Sequence, residues 1–250
     1  MQSLSFYHTI EVMPGVWTKG WPAVVPIVDM VKNHLRSLTL AGKRVLDVGC
    51  RDGAFSFEAE RLGADEVIAF DNDLTPGVTE FLVEQLNSKV RIDHLNLFDL
   101  KPDTYGYFDV VIFPGVLYHL RYPFWALKLI RDVITTDGVL LLETAFLVDD
   151  SSRSMLFCPT GEESPYEPTS CTFFNKKGLL DTLRSLGFTI EQFTALHPGA
   201  TASSDPDAPP VIDRCAIIAK LESPEDGDNV RRYWEGRVHD NPIPRWDGSR

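Results

Sequence analysis

The chain alternates short apolar runs with amphipathic stretches, and the two periods follow one another from about residue 40 to residue 221. Before that region, residues 22–38 place Val25, Ile27, Val28, Val31 and Leu35 at helical spacing and predict a first helix. Arg44 to Val48 predicts a buried strand, and Ala54 to Leu62 a helix with Phe55, Ala59 and Leu62 on one face, closed by Gly63. Glu66 to Phe70 is the next predicted strand. Thr75-Pro76, a cap followed by a proline at the first position, predicts a helix start leading into Val78, Phe81, Leu82 and Leu86. Val90 to His94 and Asp109 to Phe113 predict strands, Tyr122 to Ile134 a helix, and Gly138 to Thr144 an apolar strand. Asn175 caps a helix whose Leu179, Leu180, Leu183 and Leu186 share a face, and Gly187 ends it. Phe188 to Leu196 and Arg214 to Leu221 predict two last strands, antiparallel to each other.

Strands that are apolar on both faces and alternate with helices define an α/β protein: a doubly wound, seven-stranded, mostly parallel Rossmann-like sheet whose last strand is antiparallel. The expected organisation is an N-terminal capping segment and helix at 1–39, one catalytic domain at 40–221, and a polar C-terminal tail at 222–250. Two stretches break the alternation. Residues 147–174 form a long insertion rich in Pro, Gly and Ser, of the kind that serves as a lid or binding loop. The tail has one helical stretch around Val230 to Gly236, and its Trp234 and Trp246 predict that part of it docks on the domain.

Composition narrows the partners. The chain has 250 residues and a formal net charge of −12, and its lysines and arginines form no long cluster, which disfavours a nucleic-acid partner and favours a small-molecule substrate. No apolar run approaches the ~18 residues that span a membrane, and the first residues carry no secretory pattern, so no membrane partner is expected. The four cysteines are scattered without a CxxC pair, which predicts free thiols, a cytoplasmic location and no metal site.

In a sheet of this type, ligands sit at the carboxyl ends of the strands, near the point where strand order reverses. The first strand runs into Asp47-Val48-Gly49-Cys50-Arg51-Asp52-Gly53. A dinucleotide turn would read GxGxxG. Here Gly49 and Gly53 are four apart, Arg51 stands where a third glycine would fall, and Asp47 and Asp52 flank the turn. Carboxylates there would repel a pyrophosphate and suit an ammonium or sulfonium. The second strand ends in Asp71-Asn72, where an acid can accept from ribose hydroxyls. The third leads to Asn96 and Leu97, candidates for an adenine edge and face. The fourth leads to Gly115, which admits backbone close to a ligand, and then to Tyr118 and His119.

The run VLDVGC-x-x-G, followed by the acidic strand end, resembles the class I S-adenosylmethionine-dependent methyltransferases over roughly residues 40–146. The segments FDVVIFPGVLYHLRYPFWALKLI, GVLLLETAF, HTIEVMPGVWTKGW and PPVIDRCAIIAK are similar to the family of the tRNA wobble-uridine carboxymethyltransferase. The resemblance implies S-adenosyl-L-methionine as cofactor, held by Asp47, Gly49, Cys50, Arg51, Gly53, Asp71, Asn72, Asn96, Leu97 and Gly115. It further implies that Tyr118 and Arg214 hold a carboxylate of the cofactor or substrate, with Trp17 beside them. The family's upstream lysine has no counterpart before Lys19, its N-terminal extension is absent, and its LYHRR reads LYHLR here. Ordinary S-adenosylmethionine, and a substrate other than tRNA, are therefore expected.

Methyl transfer is an in-line displacement that needs alignment of the acceptor and, for a neutral hydroxyl, removal of a proton. His119 is the first candidate to accept that proton or to orient the substrate, Tyr118 the second, and His8, as a substrate-binding residue, the third. Arg214, in an otherwise apolar strand, needs an anionic partner, either a substrate carboxylate or an internal Asp. Glu143 faces the substrate pocket or binds a helix terminus. The expected activity is O-methylation of a small molecule; the alternatives are a tRNA-modifying enzyme and a non-catalytic protein of the same fold.

Overall fold

The computed structural model describes residues 4–203, 205, 208–222 and 234. In chain order the elements begin with a short hairpin of β1 (Glu11–Met13) and β2 (Val16–Trp17), then α1 (Val25–Arg36). The alternating core follows as β3 (Arg44–Val48), α2 (Ala54–Arg61), β4 (Glu66–Asp71), α3 (Val78–Gln85), β5 (Arg91–His94), α4 (Pro102–Tyr105), β6 (Phe108–Pro114), α5 (Pro123–Asp132) and β7 (Ile134–Leu147). The insertion carries β8 (Leu156–Phe157) and β9 (Phe173–Phe174), and α6 (Lys176–Ser185), β10 (Phe188–Ala195) and β11 (Ile212–Leu221) complete the fold.

Seven strands make one sheet in the order β10-β11-β7-β6-β3-β4-β5. The pairs β3–β4, β4–β5, β3–β6 and β6–β7 are parallel, and β11 runs antiparallel to both β7 and β10. This is the expected doubly wound α/β sheet with its antiparallel last strand. Strand order reverses at β3, which pairs with β4 on one side and β6 on the other, so a crevice opens at the carboxyl ends of β3 and β6.

The two-residue period of the strands builds two cores. Leu46, Val48, Ile68, Phe70, Val111 and Phe113 point to the face covered by α5 and α6, through Leu127, Ile130, Leu179 and Leu183. Val45, Val67, Ala69, Val110 and Ile112 point to the other face and meet Val31 and Leu35 of α1, Ala59 of α2 and Leu82 of α3. A sheet buried on both faces has its free backbone groups only at strand ends, which is where polar chemistry collects.

Several boundaries depart from the sequence reading, each for a local reason. The third helix does not start at Thr75-Pro76. Gly77 adopts φ +75°, in the left-handed region that a right-handed helix cannot include, and α3 begins one residue later. Strand β7 extends beyond Gly138–Thr144 in both directions: β11 gives it a partner as far as Leu147, and Phe108 of β6 pairs with Ile134 at its start. The N-terminal hairpin has no counterpart in the sequence reading. Trp234 packs on Phe124 with ring centroids 6.2 Å apart, as its expected docking requires. The rest of the helical stretch at 230–236, and Trp246, lie outside the described residues.

Asn175 anchors the exit from the insertion. It is fully buried, caps α6 by accepting from the Gly178 N–H (2.7 Å), and accepts from the Met155 N–H (3.0 Å). Its amide group donates to Asp149 (2.9 Å) and to the Arg153 carbonyl (2.8 Å). Asn175→Ala should therefore lower unfolding free energy by about 2–3 kcal/mol, more than a lone exposed cap, as read by urea denaturation. A loss of a few tenths would mean that these bonds do not hold the insertion.

Candidate active site

The turn after β3 is shaped by backbone geometry. Gly49 has φ +76°, and a Cβ on it would sit 2.2 Å from Val116 Cγ2. The Gly49 and Cys50 N–H groups donate to the Phe70 carbonyl at 2.8 and 3.1 Å, which ties the turn to β4. Gly53, at φ +81°, starts α2, and a Cβ there would press on the Phe57 ring at 2.9 Å. Arg51 is also left-handed, at φ +50°. Its backbone N–H donates to Asp71 Oδ2 at 2.9 Å, while its guanidinium pairs with Asp73 and lies over the Tyr7 ring. Asp71 Oδ1 accepts from the Asp73 N–H at 2.8 Å. Both oxygens of Asp71 are thus aimed by backbone donors, and each keeps lone-pair capacity for a hydroxyl.

The flanking carboxylates sit differently from the sequence reading. Asp47 and Asp52 are fully buried and do not line the turn's surface. Asp47 accepts from Ser56 Oγ at 2.6 Å, at the start of α2. Asp52 accepts from the backbone N–H groups of Tyr7 and His8, and so pins the N-terminal segment beneath the turn. Each keeps one oxygen without a partner. Burial pushes the Asp47 carboxyl up to about 7, with the Ser56 hydroxyl opposing and Asp71 reinforcing.

The remaining predicted cofactor residues divide. Gly115, at φ +72°, has open space before the Arg214 guanidinium. Asn72 is exposed at the end of β4, whereas Cys50 and Leu97 are buried. The Asn96 side-chain oxygen caps the short helical turn at Leu97–Asp99 by accepting from the Phe98 N–H (2.9 Å). A turn without Cβ atoms at Gly49 and Gly53 and an acid with spare acceptor capacity suit a nucleoside that bears hydroxyls.

The second half of the site follows from strand register. Arg214 of β11 stands opposite Ala145 of β7, and Ala216 stands opposite Glu143. Arg214 and Glu143 are diagonal neighbours on one face of the sheet. Arg214 donates to Glu143 through Nε (2.7 Å) and Nη2 (2.8 Å), a bidentate pair, and through Nη1 to the Tyr118 hydroxyl (3.0 Å). Its partner is thus an internal carboxylate, supplied by Glu143 rather than by an Asp, and Glu143 binds no helix terminus. Burial would lower the Arg214 pKa, but the bond and charge of Glu143 carry it above its ordinary value. Burial raises Tyr118 above the ordinary phenol range despite Arg214, so Tyr118 keeps its proton and lines the site rather than acting as a base.

His119 follows Tyr118 in the short helical turn Leu117–His119, its ring 4.0 Å from the Tyr118 ring, and its Nδ1 lies 2.6 Å from Glu167 Oε1 on the insertion. The donor atoms of His119, Glu167 and Cys171 lie within 4.8 Å of one another. His8 is corrected as a proton acceptor. Its ring is buried between Tyr7 and Phe55, and burial, with Lys32 and Arg51 adding to it, lowers its pKa to about 3. Trp17 stands 54 % exposed on the hairpin. Tyr7 is the aromatic of the N-terminal segment that meets the site: its hydroxyl lies in the field of Arg214, Arg51, Glu143 and Tyr166. No motif in the sequence announces Tyr7, because the Asp52 contacts that place it cross 44 and 45 residues.

The sheet order, the glycine turn and the acid at the end of β4 define a class I S-adenosylmethionine-dependent methyltransferase. The profile of the methyltransferase domain family matches residues 29–192, and the chain belongs to that family. It is 36 % identical over 118 residues to the tRNA U34 carboxymethyltransferase of Campylobacter hominis, covering 45 % of this chain and 40 % of that protein. It is 34 % identical over 138 residues to the Helicobacter pylori protein of the same name, covering 52 % and 49 %. The match thus spans less than half the length of these curated relatives. Among solved structures, the N-terminal domain of EvdMO1 with S-adenosylhomocysteine bound aligns with TM-score 0.61 at 17 % identity, over 88 % of this chain and 92 % of that one. The Burkholderia thailandensis 1,6-didemethyltoxoflavin-N1-methyltransferase aligns with TM-score 0.57 at 19 % identity, over 81 % and 79 %.

Two measurements probe the turn. Gly49→Ala should abolish S-adenosylhomocysteine binding in calorimetry, whereas Arg51→Gly should change affinity less than about threefold, since the N–H that Asp71 uses belongs to the backbone. Loss of binding in Arg51→Gly would show that the guanidinium itself holds the ligand. The second measurement concerns Asp47. The folded state binds its proton more tightly than the unfolded chain does. Its contribution to stability is therefore full at acid pH and declines as the pH rises toward about 7. Between about pH 5 and pH 7, wild type should lose about 1–3 kcal/mol relative to Asp47→Asn in urea denaturation; parallel pH profiles would refute the shift.

Proposed function

We propose that this methyltransferase carries the methyl group of S-adenosylmethionine to an oxygen of a small-molecule acceptor in the cytoplasm. The observation that carries the reading is the charge of the surface. The net charge is −12, and Arg36, Arg44, Arg61, Arg91, Lys177 and Lys220 each pair with a carboxylate. Cations already neutralised in this way offer little to a phosphate backbone. Among the described residues no helix is long and apolar enough to cross a membrane, and all four cysteines are free.

In this reading Asp71 receives the cofactor's ribose, Gly49 and Gly115 let backbone approach it, and the buried acids Asp47 and Asp52 favour its ammonium end. The cofactor supplies a methyl group made electrophilic by its sulfonium. Tyr118, Arg214 and Glu143 form a rigid wall beside the transfer path. His119 accepts the acceptor's proton, at about the moment the oxygen attacks in line. The N-terminal segment, with Tyr7 foremost, and the 147–174 insertion exclude water and shape the acceptor's space.

The second reading, a tRNA wobble-uridine-modifying enzyme, is favoured by the names of the relatives. Incubation with methyl-labelled S-adenosylmethionine separates the two. Label should enter members of a panel of phenols and glycosides and not total bacterial tRNA. Label in tRNA alone would overturn the small-molecule reading, and failure to bind S-adenosylhomocysteine at all would overturn catalysis.

A further inference from the structure

We infer that Glu167, carried by the insertion, is the positioning residue for the His119 base, so that the lid completes the catalytic machinery as well as covering it. The inference rests on His119 taking the acceptor's proton.

The carboxylate of Glu167 can only accept a hydrogen bond, so the 2.6 Å contact places the proton of a neutral His119 on Nδ1 and leaves the Nε2 lone pair free. That is the tautomer a general base needs when its acceptor approaches from the far side of the ring, and it is the less populated one of a free imidazole in water. A carboxylate behind the imidazole also stabilises the cation formed when the proton arrives.

A surface ion pair would explain the same distance, since the two side chains are 37 % and 35 % exposed. The wiring of the loop argues otherwise. The Glu167 carbonyl accepts from Ser164 Oγ (2.7 Å) and Cys171 Sγ (3.5 Å), and its carboxylate accepts a second bond from Ser170 Oγ (3.2 Å). The returning strand is then stitched to the segment that holds the base. Thr172 donates its N–H to the Tyr118 carbonyl (3.0 Å) and its hydroxyl to the Leu120 carbonyl (2.9 Å). The imidazole packs against the Tyr118 ring, 4.0 Å away, and meets the Tyr166 ring edge-on at 5.5 Å. Within the insertion, Ser164, Ser170 and Cys171 thus direct polar contacts at Glu167, whose carboxylate faces one imidazole.

Histidine 15N NMR of the full chain with S-adenosylhomocysteine reads the tautomer directly and needs no acceptor. In wild type the proton of neutral His119 should sit on Nδ1. Glu167→Ala should move it to Nε2, and Glu167→Asp should restore it. In methyl transfer to an acceptor drawn from the panel above, Glu167→Ala should lower kcat about a hundredfold. It should leave the Kd for S-adenosylhomocysteine within about twofold, and Glu167→Asp should recover part of the rate. A wild-type proton on Nε2 would overturn the inference. So would a parallel fall of kcat and cofactor affinity in Glu167→Ala, which marks a structural bond. If no acceptor is methylated, the small-molecule reading fails, while the tautomer still decides whether Glu167 orients His119.

Discussion

The site depends on one buried ion pair. Arg214 and Glu143 lie on neighbouring antiparallel strands near the carboxyl end of the sheet, with side-chain exposures of 13 % and 1 %. Neither charge could remain there alone, because removing one partner of such a pair leaves a bare charge at a cost of about 3–5 kcal/mol. Paired, they are rigid: the guanidinium uses two nitrogens on the carboxylate and the third on Tyr118. Tyr118 is then held by both a hydrogen bond and the guanidinium 4.6 Å above its ring. His119, Tyr166 and Phe173 pack around that ring in turn. A pair created by strand register thus passes its rigidity outward to the lid.

The architecture was legible because it is written in short-range patterns. Alternating periods announced the sheet, and glycines at 49, 53 and 115 announced turns whose left-handed geometry the structure shows. Errors arose where a local signal met a competing local conformation, as at Gly77. A polar atom can also have a nearer use: Asn96 caps its own turn. The partners that organise the site were hidden for a different reason. Glu143 and Arg214 are 71 residues apart, and His119 and Glu167 are 48 apart. The sequence shows that a buried arginine needs an anion, and register decides which anion it meets.

Arg51 illustrates how a residue can look wrong for a turn and still fit it. A non-glycine at φ +50° is strained by roughly 1 kcal/mol. Its side chain offsets that strain by reaching Asp73 and covering Tyr7, and the turn still presents its N–H to Asp71. Asp52, next in the chain, holds the backbone of Tyr7 and His8 from below. Two adjacent residues of one turn therefore hold the N-terminal segment, Arg51 at the Tyr7 ring and Asp52 at the backbone of Tyr7 and His8. Ligand recognition at the turn and closure of the N-terminal segment are parts of a single packing unit.

That coupling bears on how one fold can accept different acceptors. The residues assigned to the cofactor lie at or just after the carboxyl ends of β3, β4, β5 and β6. The walls left for an acceptor come from two additions to the sheet, residues 4–21 and the insertion at 147–174. Both additions are tied back to the segments after β3 and β6 through their backbone N–H groups, which donate to the Asp52 carboxylate and to the Tyr118 carbonyl respectively. Their outer side chains are consequently free to vary without moving Asp71 or Gly49. A relative that matches this chain through the sheet but differs in these two segments would keep the methyl donor and change what receives the methyl group. In the proposed reading, the sheet carries the reaction type and the two attached segments carry the choice of acceptor.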